Sequence, residues 1–145
     1  MTPVTAFIHP DSERLFFDEP LKDFPRLRVN LLDDFIQYKA TDFQISYFGR
    51  DAVYTQPFQA LRAQMSHIHL CLPPKTFPRD LPRNDRTCKK NQPDRDAALV
   101  YVRGLLEENR YCLLGVLYPD AHAKAREEKV MRYLARLAQA FRDEY

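Results

Sequence analysis

Apolar positions recur at three- and four-residue spacing from Phe24 through Leu27, Leu31, Leu32, Phe35 and Ile36, the stripe of one helix face. Asp23 stands where a cap is expected and Pro25 where a first turn tolerates proline. The pattern fades near Lys39 and Ala40, ahead of Thr41-Asp42. From His67 to Leu72 the period changes to two, which predicts a strand. His67, His69 and Cys71 share one face, and Ile68, Leu70 and Leu72 share the other. Pro73-Pro74 ends it, since proline donates nothing to a ladder. Two further strand-like runs, Leu99 to Leu106 and Tyr111 to Tyr118, are joined by Glu107-Glu108-Asn109-Arg110 and predict a hairpin. The second run is almost continuously apolar, as in a central strand covered on both faces. After Pro119-Asp120 a long helix is predicted from about Ala121 onward. It buries Val130, Leu134, Leu137, Ala138 and Phe141, and is decorated by Lys124, Arg126, Lys129, Arg132, Arg136 and Arg142.

Elsewhere the pattern is weaker. Residues 1–24 show no period; Leu15-Phe16-Phe17 reads as a short edge strand or an apolar anchor in an otherwise acidic, extended segment. The stretch from Phe43 to Gln64 mixes aromatics with charge, and Phe58, Leu61 and Met65 suggest a short helix after Pro57. Residues 73–96 lack periodicity and carry Pro73, Pro74, Pro78, Pro82 and Pro93. Loops this long inside a compact domain tend to be functional or disordered. The elements add up to a single α+β domain over residues 1–145. A small, mainly antiparallel sheet carries an N-terminal helix or helices and a long C-terminal helix, laid on one side.

Composition narrows the class without naming a function. With 45% hydrophobic and 29% charged residues in 145, the chain is that of an ordinary soluble protein. Its longest apolar run falls well short of the roughly 18 residues of a membrane span, so no membrane partner is expected. Met1 to Pro10 lacks a basic stretch followed by an apolar one and reads as no secretion signal. Cys71, Cys88 and Cys112, odd in number and irregularly spaced, suit a reducing cytoplasm. The net charge of +2 is small, but its distribution is uneven. Residues 1–24 are net negative, whereas residues 74–95 carry Lys75, Arg79, Arg83, Arg86, Lys89, Lys90 and Arg95 against three acids. A basic proline-rich loop suits contact with phosphate, although charge alone fits a solvated loop equally well.

Candidate chemistry centres on histidine. Gly49, Gly104 and Gly115 are isolated, so there is no glycine-rich phosphate loop. His67-x-His69-x-Cys71 lacks a fourth ligand within reach, and neither a metal nor another cofactor is expected. Two imidazoles on one face can act as acid and base near neutrality, or either can simply brace a neighbouring strand. His122 and Tyr118 bracket Pro119-Asp120, where the last strand gives way to the last helix. Lys124 and Arg126 follow within a turn, where they and the helix N-terminus can meet a phosphate. Arg50 either pairs with Asp51 or reaches substrate with its planar fork.

Phe48-Gly49-Arg50-Asp51-Ala52-Val53-Tyr54, then His67-Ile68-His69-Leu70, Phe77-Pro78, Arg86-Thr87, Leu99-Val100-Tyr101 and Ala140-Phe141-Arg142 resemble, in order and spacing, the YafO family of type II toxins. Residues 1–24 are longer than the usual start of that family, and its RTND-like run reads Arg86-Thr87-Cys88-Lys89 here. The resemblance implies a RelE/ParE-like shape and a ribosome-dependent mRNA endoribonuclease. Its partners would be the ribosome and mRNA, and a cognate antitoxin would hold it inactive. In that setting two of His67, His69 and His122 would serve as base and acid for attack by the RNA 2′-hydroxyl. Arg50, Lys124 and Arg126 would stabilise phosphate charge, and Tyr118 would stack on a base. Lys75, Arg79, Arg83 and Arg86 would grip RNA backbone. The rival expectation is a ParE-like toxin that inhibits DNA gyrase by binding alone.

Overall fold

The computed structural model describes residues 2–42 and 44–145; Phe43, at the head of the mixed segment, lies outside the described residues. Among them, five strands form one mixed sheet: β1 (Thr5–Ile8), β2 (Phe48–Val53), β3 (Ser66–Leu70), β4 (Ala97–Arg103) and β5 (Arg110–Leu117), in the order β1-β5-β4-β3-β2. The pairs β2–β3, β3–β4 and β4–β5 are antiparallel, and β1 adds to β5 in parallel. The hairpin and the central place of β5 match the apolar pattern. Its strands end sooner than expected, leaving Leu105 and Leu106 exposed in the turn.

The helices cover both faces of the sheet, not one. α1 (Pro25–Thr41) lies on one side; α2 (Phe58–Arg62) and α4 (Glu128–Glu144) lie on the other. The reason is β4 and β5 themselves, which are apolar on both sides and need cover twice. Leu99, Tyr101 and Leu113 join Leu31 and Phe35 in one core, whereas Val100, Val102 and Leu114 join Met131, Leu134 and Ala138 in the other.

Other departures have local causes. Leu15-Phe16-Phe17 is an anchor and not a strand: Arg14–Asp18 forms a wide helical turn that buries Phe17 and, just beyond, Leu21. Arg28 of α1 clamps that turn, meeting Glu13 at 2.6 Å and Asp18 at 2.8 Å. The strand of this segment lies earlier, at β1. Pro25 opens α1 as expected, but Phe24 is the capping residue and no side chain caps the helix. α2 exists, yet Phe58 (69% exposed) and Leu61 point outward. Its buried side is Ala60 with Ala63 just beyond, small enough to approach Ala135 and Ala138 of α4.

The final helix is broken. α3 (Ala121–Lys124) is a single turn, and Glu127 is extended before α4 begins. Asp96 and Asp120 hold α3 against the sheet, so α4 must start afresh in its own direction. Its buried stripe runs Met131, Leu134, Ala135, Ala138 and Phe141, with Val130 and Leu137 at the margin. No helix among the described residues is long and apolar enough to cross a membrane.

The proline-rich loop is ordered by its own arginine. Arg86 is 4% exposed; its guanidinium donates to the carbonyls of Leu81 (2.8 Å) and Arg79 (3.1 Å) and to the Gln44 side chain (3.3 Å). Its own carbonyl accepts Arg50 N–H at 2.9 Å. A Cβ at Gly49 would lie 2.1 Å from that carbonyl oxygen, so only glycine lets β2 and the loop meet. Arg86 thus ties the loop down, where the sequence reading expected it to grip RNA.

Candidate active site

β3 delivers the alternation read from the sequence. Ile68 and Leu70 enter the core under α1, and His67 and His69 face the opposite side. There they line a cleft of about 220 Å³, together with His122, Asp96, Lys90 and Arg126. The rings of His67 and His69 are 5.5 Å apart, and those of His69 and His122 are 5.9 Å apart. Two elements remote in sequence, β3 and the turn at Ala121–Lys124, therefore bring three imidazoles into one row.

The partners of each ring set its proton. His69 Nδ1 accepts the backbone N–H of Cys88 at 3.0 Å, which leaves the proton on Nε2. Burial, then the neighbouring His122, lowers its pKa, so the neutral form prevails at pH 7. His69 is thus a fixed Nε2–H donor. His122 is held the other way round. Its Nδ1 lies 2.6 Å from Asp96 Oδ2, and its backbone N–H donates to the same oxygen at 2.8 Å. Asp96 is 1% exposed. A buried carboxylate on Nδ1 places that proton there and leaves the Nε2 lone pair as a base.

His67 is different. Its ring stacks on Tyr54 at 4.0 Å with 12° between planes, and its Nδ1 is buried without a hydrogen-bond partner among the described residues. Burial, aided by the nearby His69, pushes its pKa down to about 4. Between pH 6.5 and 4 the unfolded chain takes up a proton here that the folded chain refuses, so stability falls as pH falls through that window. His67→Phe keeps the stack and removes the titration. Urea unfolding at pH 7 and 4.5 is expected to show the acid-induced loss shrinking by about 2–3 kcal/mol in this variant; an unchanged pH dependence would contradict this placement of His67.

The remaining candidates divide by location. Arg126 lines the cleft, and Arg50, exposed on β2, acts electrostatically on both His67 and His69. Asp51 does not pair with Arg50. It points under α1 and accepts from Tyr38 (2.8 Å), Tyr101 (2.6 Å) and Lys39 (3.0 Å). Tyr118 and Lys124 turn toward a separate groove beside Phe16 and Val130, with the Tyr118 hydroxyl donating to the Asp94 carbonyl. The α3 N-terminus offers no free amides to a phosphate, because Ala121, His122 and Ala123 N–H all donate to Asp96 or Asp120. Lys75 and Arg79 are exposed on the loop, away from the histidines, and Arg83 meets Asp42 at 3.7 Å over the Tyr38 ring.

Sequence reasoning missed Asp96, Lys90 and the Cys88 amide, all from the end of the long loop. The only signal was position: a carboxylate directly before a strand that pairs with the histidine strand. Among the described residues no cluster of three His, Cys, Asp or Glu side chains is arranged to hold a metal ion.

The family model described as toxin YafO of type II toxin–antitoxin systems matches residues 36–143. The chain belongs to the YafO toxin family. It is 34% identical over 115 residues to the mRNA interferase toxin YafO of Escherichia coli (strain K12), an alignment covering 77% of this chain and 83% of that relative. No solved structure matches it significantly. The YafO match spans β2 to α4 and so contains the whole cleft. It begins inside α1, so β1 and the Phe17 anchor lie outside it.

Proposed function

We propose that this protein is a metal-independent endoribonuclease of the bacterial cytoplasm that cleaves mRNA on the ribosome, stops protein synthesis and is silenced by a cognate antitoxin. Membership of a type II toxin family supports the antitoxin, and the naming of its relative as an mRNA interferase supports the substrate. The observation that carries the reading is the row of imidazoles. A base fixed by a buried carboxylate faces a neutral N–H donor, in a cleft lined by Lys90 and Arg126 and within the field of Arg50. The helix–sheet–helix layout agrees with a RelE/ParE-like fold.

The chemistry follows from the tautomers. His122 Nε2 removes the proton of an RNA 2′-hydroxyl, whose oxygen attacks the adjacent phosphorus. The bond to the 5′-oxygen breaks, giving a 2′,3′-cyclic phosphate and a 5′-hydroxyl end. His69 Nε2–H hydrogen-bonds the departing oxygen, which takes its proton from water, and the cations offset the phosphorane charge. His67 braces the site and transfers no proton. A pure binding toxin has no use for an Asp–His base, which favours this reading over gyrase inhibition. Primer extension on cellular mRNA after brief induction is expected to find new 5′ ends within coding regions. Their absence alongside DNA damage would overturn the ribonuclease in favour of the gyrase inhibitor.

A further inference from the structure

A second cleft, of about 320 Å³, is lined by Lys39, Ser66, Tyr101, Arg103 and Tyr111 on the sheet face opposite the histidines and by Arg142, which reaches it from α4 around the sheet end. Its lining contains no carboxylate. Lys39 is neutralised by Asp51 beneath it, at 3.0 Å. Arg103 and Arg142 are not. Arg142 spends one N–H on the Arg103 carbonyl at 2.9 Å, and Arg103 leans on the Tyr111 hydroxyl. Neither stands in an ion pair among the described residues. Of the nearby acids, Glu107 pairs with Arg110, whereas Glu108 acts on Tyr111 from outside the lining. Two guanidinium groups thus line one cleft with no ion-pair partner among the described residues.

Position joins this cleft to the first. Ser66 lines it and the next residue, His67, lines the catalytic cleft; Val53 and Tyr54 repeat the relation on β2. Successive strand residues point to opposite faces, so the two clefts are separated by one thickness of the sheet, around the end of β2 and β3. We propose that the Arg103–Arg142 cleft binds a backbone phosphate of the RNA strand outside the scissile bond. Arginine's fork is suited to phosphate oxygens, and a strand leaving the histidines past Thr55 and Gln56 turns this end of the sheet. The proposal rests on RNA being the substrate.

The test is the salt dependence of binding a short labelled single-stranded RNA, read by fluorescence anisotropy in a His122→Ala background that spares the probe. Combining Arg103→Gln with Arg142→Gln is expected to lower the slope of log Kd against log [KCl] by about 0.7, one phosphate contact, and to weaken binding at low salt. The Arg103→Lys, Arg142→Lys pair keeps both charges and should retain the parental slope. An unchanged slope in the glutamine pair, or an equal fall in the lysine pair, overturns the site even if the wild type cleaves mRNA. A reduced slope in the glutamine pair alone supports it even if cleavage is never found, in which case only the catalytic reading fails.

Discussion

Replacing Asp96 by asparagine is expected to slow mRNA cleavage by about 10²–10⁴-fold with little change in affinity for the substrate. One oxygen of Asp96 accepts both the backbone N–H and the Nδ1–H of His122, and it does so almost wholly out of water. Asparagine keeps the shape. It removes the charge that balances the imidazolium formed when His122 takes a proton, and it can present its NH₂ group to Nδ1 and favour the wrong tautomer. His122→Ala should cost a similar factor, and the double variant no more, because both substitutions disable one device. Single-turnover cleavage in a purified translation system measures all three. A loss under tenfold for Asp96→Asn would remove the carboxylate from the mechanism.

Phe17→Ala is expected to destabilise the fold by about 3–5 kcal/mol, the range for emptying a buried aromatic site. Phe17 is 0% exposed and sits with Leu21, Leu27 and Leu31 in the core under α1, and the Arg28 guanidinium lies 5.8 Å from the ring centre. The result has weight because this residue precedes the family match at 36–143. If the opening segment were an accessory tail, truncating the ring would cost almost nothing. Urea unfolding monitored by circular dichroism decides between the two: a shift below about 1 kcal/mol would show that the segment does not belong to the core.

The elements with one strong period were legible. α1, β3 and the β4–β5 hairpin follow from spacing alone, because each buries a face whose repeat equals its own geometry. The two-residue period of β3 also placed His67 and His69 on one side, and that side is the one that lines the cleft. What spacing does not carry is the choice between partners across space. Phe58 and Leu61 formed an apolar pattern, yet alanines occupy the contact with α4, since close helix approach selects size over hydrophobicity. The break before α4 was hidden in a continuous helical pattern, because it depends on Asp96, a residue more than twenty positions upstream. Tyr118 and Lys124 stand near His122 in sequence, but Tyr118 packs toward the α1 core against Phe24 and both line another groove. The loop at 73–96 has the composition of a basic surface. Its largest contributions are a buried arginine that shapes it, one backbone amide that fixes His69, and one carboxylate that fixes His122.

The end groups of the cleaved mRNA, compared between the wild type and His122→Ala, test the central claim most directly. Attack by the 2′-hydroxyl with His122 as base predicts 5′-hydroxyl and 2′,3′-cyclic phosphate ends that all but disappear in the variant. Ends bearing 5′-phosphate, or undiminished cleavage by His122→Ala, would contradict it.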